Sequence, residues 1–282
     1  MWKKRALYLF GIGVLMAGIV WGQMGMYVLH LLFGIRLPLN FFDFCLGLFI
    51  KHSVYYMLIL SLLNAWVTYS FLAIFMGGIM HSIRSKRFKA RLSRLVNIEL
   101  TNVISQRFEL NRHQLIVIDQ KDISAFTVGL RRPLIVVSTG LLTLLDPQEL
   151  QAVMKHELSH QQHVDPLKLF ILEQISRSLW FIPLAKWLYH NYKIICELAA
   201  DEFAIRKTGS ELGLSKALLK LINHCPRRMP SPVVVPFADT AVNYRLQHLL
   251  EPRYSIPLRL NTQSLLLSLF AMSMSALIVA VV

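Results

Sequence analysis

Three long stretches of this chain contain no Asp, Glu, Lys or Arg, and they constrain its fold more than any other feature. Residues 6–33, 53–80 and 264–282 are mostly apolar, and each approaches or exceeds the ~20 residues that a helix needs to cross a bilayer. A cleaved signal peptide is the alternative for residues 6–33. That stretch, however, is longer than a signal's apolar region and lacks a clear small-residue cleavage site. The sequence therefore predicts three transmembrane helices.

Basic residues orient the predicted transmembrane helices. Residues 3–5 are all basic, and residues 84–94 hold six basic side chains without an acid, whereas the loop over 34–52 carries few charges. The positive-inside rule then places both basic flanks in the cytoplasm. Residues 95–260 are therefore predicted to be cytoplasmic at the cell membrane, with the N-terminus on the same side.

The net charge of +14 has two explanations, nucleic-acid binding or membrane association. Hydrophobic residues make up 55% of the chain and charged residues only 16%, a composition typical of membrane proteins. Much of the basic excess lies beside the predicted spans, where anionic lipid headgroups attract it. We expect contact with membrane lipids and no direct contact with nucleic acid.

The pentapeptide His156-Glu157-Leu158-Ser159-His160 indicates the chemistry. Residues four apart share one face of a helix, so both imidazoles can bind one metal ion while Glu157 acts on a water molecule. The flanking sequence predicts that helix. Asp146-Pro147-Gln148-Glu149 has the pattern of an N-cap, a first-turn proline and a capping box, and Asp165-Pro166 marks the end.

A catalytic zinc ion needs a third protein ligand, and Glu197 is the candidate. Asp201 lies one helical turn further on and can accept the second N–H of a ligating histidine. An ordinary surface helix with scattered acids is the alternative for this segment taken alone. His163 lies on the same helical stripe as His156 and His160. The glycine turn of the longer three-histidine motif is missing, however, so His163 is interpreted as partly exposed and non-ligating.

The interval between the two motifs restricts the topology. Only 36 residues, 161–196, separate His160 from Glu197, too few for two full crossings of ~20 residues each and a turn. Residues 167–190 are apolar but contain four charged side chains. This segment is therefore predicted to form an amphipathic or half-embedded hairpin at the membrane surface.

Residues 113–118 and 133–138 are rich in β-branched side chains and predict strands, with residues 124–129 between them. We expect 124–129 to form a sheet edge along which an extended peptide can bind by main-chain hydrogen bonds.

Three segments in this order resemble the M56 peptidases, the membrane metallopeptidases typified by the BlaR/MecR antibiotic sensors. The segments are AFTVGLRRPLI at 125–135, LQAVMKHELSH at 150–160 and ELAADE at 197–202. The resemblance covers about residues 95–260 together with the arrangement of spans. The antibiotic sensors carry an extracellular penicillin-binding domain after the last span, whereas this chain stops at Val282. Direct β-lactam sensing is therefore not expected.

The resemblance implies a role for each motif residue. His156, His160 and Glu197 would bind Zn²⁺, Glu157 would be the general base, and Asp201 would support a ligand. The substrate would be a cytoplasmic protein, such as a transcriptional repressor, or the chain itself, in a signalling or regulatory pathway. The oligomeric state is not indicated.

Two other interpretations remain open. The M48 quality-control proteases share H-E-x-x-H and E-x-x-x-D, but their membrane members commonly place two spans between these motifs, for which residues 161–196 leave no room. A non-catalytic zinc-binding signalling relay is the other alternative, and the intact Glu157 argues against it.

The predicted fold is a membrane α+β protein with three transmembrane helices and a cytoplasmic zincin-like (gluzincin) metallopeptidase domain. Residues 1–94 form a membrane region with two spans and a basic segment, 95–260 form the peptidase domain, and 264–282 form the last span. Catalysis also needs a donor for the tetrahedral oxyanion. Arg245 or His248 can serve, and structural roles are the alternative for both.

Overall fold

The computed structural model describes residues 1–34, 53–111, 113–224, 241–251 and 262–276, and the described part is mostly helical with one small sheet. The helices are α1 (Trp2–Phe33), α2 (Val54–Ser93), α3 (Ile98–Arg107), α4 (Thr139–Leu144), α5 (Pro147–His163), α6 (Asp165–Ser178), α7 (Pro183–Thr208), α8 (Glu211–His224), α9 (Ala241–Leu250) and α10 (Thr262–Ala276). The strands are β1 (Leu115–Ile118), β2 (Ala125–Val128) and β3 (Leu134–Ser138). Most of the predicted outer loop over 34–52 lies outside the described residues.

Two compact units make up the described chain. The sheet unit contains residues 1–7, 79–171, 191–224 and 241–251, and the apolar unit contains residues 8–34, 53–78, 172–190 and 262–276.

The sheet has the strand order β1-β3-β2, so the described strand β2 lies at one edge. β1 pairs with β3 in parallel, and β2 pairs with β3 in antiparallel fashion, with Thr127 opposite Ile135. The β-branched segments predicted as strands therefore form them, and the segment between them forms the edge strand. Ser124 O accepts a hydrogen bond from Ser138 N. In an antiparallel ladder the alternate residues Ala125 and Thr127 then direct their main-chain groups away from β3.

Alternating side chains bury both faces of the sheet. Leu115, Val117, Ile135 and Val137 pack on one face in a core that includes Leu150, Val153 and Met154 of α5. The intervening residues Ile116, Ile118, Leu134 and Val136 pack on the other face with Phe88 and Leu92 of α2. The sheet unit thus has a helix layer on each side, because successive side chains of a strand point to opposite faces.

Helices α1 and α2 are each long and apolar enough to cross a membrane, by length and composition. α2 continues without a break through the basic segment to Ser93, so the predicted second span and its basic flank form one helix. The predicted third span corresponds to α10, which is shorter, and residues 277–282 of that prediction lie outside the described residues.

Residues 167–190, predicted as a hairpin, lie in α6 and the first part of α7, and the tip, residues 172–190, belongs to the apolar unit. There, Trp66 of α2 packs edge-to-face on Phe181, with ring centroids 4.5 Å apart. The hydroxyl of Ser70 donates to the carbonyl of Ser178 over 3.3 Å. The tip therefore packs on an apolar helix, while its embedding in a bilayer stays a prediction.

Candidate metal centre

Helix α5 brings His156, Glu157 and His160 together in the buried part of the sheet unit. Its start follows the predicted local signals. Asp146 is the N-cap, its carboxylate accepts from the backbone N–H of Gln148 and Glu149, and Glu149 completes the capping box. The helix ends at His163, where Val164 adopts a left-handed conformation with φ 52°. The prediction of a capped helix that carries His156 and His160 is confirmed.

Glu197 of α7 faces both histidines and completes a group of three possible metal ligands. The two Nε2 atoms of His156 and His160 are 3.2 Å apart. Glu197 Oε2 lies 3.4 Å from His156 Nε2, and Glu197 Oε1 lies 3.5 Å from His160 Nε2. Ligand atoms of a tetrahedral zinc ion, at ~2.0–2.2 Å from the metal, are separated by about 3.3–3.6 Å. The spacing of these atoms therefore fits a metal ion of this kind.

The carboxylates beside the two imidazoles also fit a metal ion. His156 Nδ1 lies 2.8 Å from Asp201 Oδ1, and His160 Nδ1 lies 2.9 Å from Asp165 Oδ2. An ionised carboxylate can only accept, so each Nδ1 carries a proton, and a neutral ring turns the lone pair of Nε2 toward the other ring. Two facing Nε2 atoms need a cation between them, which is a proton in the metal-free site and a metal ion in the loaded one. Asp201 thus lies beside His156, and its support of a metal ligand stays a prediction.

Asp165 was interpreted from the sequence only as a helix-ending residue, yet it holds the second histidine. Its other oxygen accepts a hydrogen bond from the hydroxyl of Tyr192 over 3.1 Å, and both residues are buried. The signal in the sequence was an acid five residues after His160. Whether that acid turns back toward the ring depends on the left-handed residue Val164, which no local pattern predicted.

Replacing Asp165 with asparagine should weaken metal binding about 10- to 100-fold, because the amide keeps the shape but loses the charge that raises the basicity of His160. The measurement is a competition titration of the purified protein against a metal chelator. The control is Tyr192→Phe, which leaves the carboxylate in place and should have a smaller effect. An unchanged affinity in Asp165→Asn would remove Asp165 from the metal centre.

Arg245 of α9 is a buried cation that joins two of the carboxylates. Its Nε and Nη2 atoms each donate to Asp201 over 2.7 Å, and Nη1 lies 3.2 Å from Glu197 Oε2. Burial acts to raise the pKa of Glu197, but the histidines and Arg245 outweigh it and hold that pKa well below its ordinary value. The same cation keeps the pKa of Asp201 low against the effect of burial.

Both residues predicted as oxyanion donors, Arg245 and His248, bind other side chains in the structure. The guanidinium of Arg245 is directed at the two carboxylates. His248 Nε2 accepts a hydrogen bond from Trp2 Nε1 over 3.2 Å, and the two rings meet edge-on. These contacts agree with the structural roles considered for both residues, and their part in catalysis stays a prediction.

Glu157 is buried beside the histidines and is held by the edge strand. The hydroxyl of Thr127 lies 2.8 Å from Glu157 Oε2 and 3.1 Å from the carbonyl oxygen of Glu157. Thr127 was not singled out in the sequence, although it lies in the segment predicted as an edge. His163 is partly exposed, as predicted, and its Nδ1 lies 2.9 Å from the carbonyl oxygen of Ser159.

Metal binding at neutral pH should release at least about one proton. Burial opposes protonation of His160, but Glu197 and Asp165 outweigh it and raise the pKa of His160 to about 9. The metal-free site therefore holds this proton at pH 7, and a ligating imidazole must lose it, so the apparent affinity should increase as the pH rises toward 9. Calorimetric titrations in buffers of different ionisation enthalpy count the proton. A binding enthalpy that is the same in every buffer would contradict this expectation.

Comparison with known proteins gives one family match and several partial relatives. The family described as BlaR1 peptidase M56 matches residues 50–249. A "Protease HtpX homolog" from Acaryochloris marina is 30% identical over 160 residues, covering 44% of this chain and 54% of the relative. The "Regulatory protein BlaR1" of Bacillus licheniformis is 27% identical over 130 residues, covering 45% of this chain and 21% of the relative. "Protease HtpX" of Escherichia coli is 36% identical over 67 residues, or 23% of each chain. The chain thus spans about half or less of the length of these relatives.

Proposed function

Because this chain belongs to the BlaR1-type M56 family of metallopeptidases, we propose that it is an integral-membrane zinc endopeptidase of the gluzincin type. The observation that carries the proposal is the buried group formed by His156, His160 and Glu197, whose facing atoms have the spacing of a tetrahedral metal site. These three residues would hold the ion. Bound zinc would polarise the scissile carbonyl and lower the pKa of a water molecule.

Glu157 is the proposed general base. It takes a proton from the attacking water and then delivers it to the amine that leaves when the peptide bond breaks. The hydroxyl of Thr127 donates to its Oε2 atom and so fixes the direction of the carboxylate. Asp165 and Asp201 keep the Nε2 lone pairs of the histidines available to the metal, and Arg245 keeps Glu197 and Asp201 ionised.

The edge strand β2 is the proposed place for the substrate backbone. Its residues Ala125 and Thr127 direct main-chain groups away from β3, so an extended peptide can add as a further strand. The side chain of Thr127 contacts Glu157, which brings this edge next to the general base. A substrate strand here needs an extended, locally unfolded segment, and this favours loops, termini and damaged proteins over compact domains.

The proposed position of the enzyme at the membrane is supported by the length of α1 and α2 and by the basic residues that flank them. We propose that residues 95–260 lie in the cytoplasm, where the substrate is a regulatory protein such as a transcriptional repressor, or this chain itself. A quality-control protease of the membrane is the second candidate, since several relatives are named as HtpX proteases.

Comparison of new protein termini in cells that carry wild-type protein or Glu157→Gln tests the proposed function. We expect termini in a small number of cytoplasmic proteins, or in this chain, that occur only with the wild type. Many termini in membrane proteins would favour the quality-control function. Identical sets of termini in the two strains would contradict the peptidase proposal.

A further inference from the structure

A basic cavity of about 590 Å³ lies in the sheet unit, outside the metal centre. One wall is the stretch of α2 from His81 to Lys89, and the other is the turn between β2 and β3 at residues 129–132. Lys86 and Lys89 line the first wall, and Arg131 and Arg132 line the second. Four cations from two separate elements therefore converge on one space.

The turn that supplies the two arginines has a fixed shape. Gly129 has φ +111°, a conformation that side-chain-bearing residues rarely adopt, and a Cβ atom there would lie 2.9 Å from the carbonyl oxygen of Arg132. A glycine is thus required for the chain to reverse at this point. The arginines are held at the cavity by a defined turn and by the paired strands on either side of it.

The basic residues of α2 fall into two stripes. At 100° per residue, Lys86 and Lys89 share the face of His81 and Ser85, which line the cavity, whereas Arg84, Arg87 and Arg91 lie on the opposite face. The cavity therefore faces only one of the two basic stripes of α2. The second stripe provides a set of equally charged residues outside the cavity.

No acid compensates the four cations. Residues 81–94 and 123–138 contain neither Asp nor Glu, and within the part of the chain that the structure describes no ion pair is formed by Lys86, Lys89, Arg131 or Arg132. Such a group is stabilised by an anion of more than one oxygen, since arginine binds phosphate in a bidentate manner and lysine adds a point charge.

The position of the cavity along α2 indicates the source of that anion. The apolar stretch of α2 ends at Met80, the cavity begins at the next residue, His81, and the first charged residue of the helix is Arg84. In a bilayer that α2 crosses, this is the level of the phosphate groups. We infer that the cavity binds the phosphodiester headgroup of an anionic phospholipid. The inference rests on the membrane position of α2 and does not depend on peptidase activity.

Lipid binding is tested on the full chain in detergent, by native mass spectrometry with phosphatidylglycerol or phosphatidylcholine as the probe. The cavity variant replaces Lys86, Lys89, Arg131 and Arg132 with glutamine. The matched control replaces Arg84, Arg87, Arg91 and Arg94 with glutamine, which removes the same charge from exposed positions outside the cavity. Retained metal shows that each variant is folded.

We expect wild type and control to retain phosphatidylglycerol over phosphatidylcholine, and the cavity variant to bind phosphatidylglycerol at least about tenfold more weakly. Equal losses of phosphatidylglycerol binding in the two variants, or no loss in either, would overturn the proposal. The lipid would then be attracted by the general positive charge of the protein, or not by these residues at all. Displacement of the lipid by millimolar inorganic phosphate would assign the site to free phosphate instead. Binding of labelled hexaglutamate that the cavity variant alone loses, with lipid binding unchanged, would make it a docking site for acidic peptides.

Discussion

Replacing Glu157 with glutamine should reduce peptide cleavage about 10²- to 10⁴-fold and leave the metal in place. The magnitude is that of losing a positioned general base. The amide oxygen can still accept the hydrogen bond that the hydroxyl of Thr127 donates to Oε2 in the wild type. The histidines and Glu197 are untouched, so the ligands keep their arrangement. The measurement is the rate of cleavage of unstructured casein by the purified chain.

Metal content measured on the same samples shows whether a lost activity is due to loss of the metal or to loss of proton transfer by Glu157. A Glu157→Gln protein that has lost both its metal and its activity would place Glu157 in the support of the site and not in proton transfer. A variant that keeps full activity would remove Glu157 from the mechanism.

Replacing Glu197 with alanine should abolish stable metal binding, and cleavage with it. Glu197 provides the only carboxylate that faces both Nε2 atoms in the described structure. Its loss removes one of three ligands and leaves the buried guanidinium of Arg245 with Asp201 as its remaining acidic partner at the site. We expect metal affinity to fall more than in Asp165→Asn, because a ligand is lost and not only its hydrogen-bonded support.

Glu202→Ala is the matched control for this substitution. Glu202 lies on the same helix, but its carboxylate is partly exposed and contacts the amino group of Met1. We expect this variant to keep its metal. Equal metal affinity in Glu197→Ala and wild type would exclude Glu197 as the third ligand.

The metal helix could be predicted from the sequence because its signals are local. The N-cap at Asp146, the proline after it and the capping box act within one turn, and the spacing of His156 and His160 needs only helical periodicity. The pair Glu197 and Asp201 could be predicted by the same logic, as two acids one turn apart on a second helix.

The contacts that complete the site depend on packing between distant segments. Arg245 reaches Asp201 from α9, and Thr127 reaches Glu157 from the sheet. Neither pairing has a spacing that a sequence pattern could reveal. Asp165 lay close to His160 in the chain, but its role depends on the left-handed turn at Val164.

The segments that form strands could be predicted from the sequence, but the order of the strands in the sheet could not. β-branched residues indicated β1 and β3, and β2 was expected at an edge. The parallel pairing of β1 with β3, with β2 outside, is set by burial of both faces against α5 and α2. That burial depends on the whole sheet unit.

Metal content and cleavage measured together on the purified full chain test the central claim most directly. We expect about one zinc ion per chain, loss of casein cleavage when a chelator removes it, and recovery when stoichiometric zinc is returned. Cleavage that persists in fully metal-stripped protein would contradict a metallopeptidase mechanism at His156, His160 and Glu197.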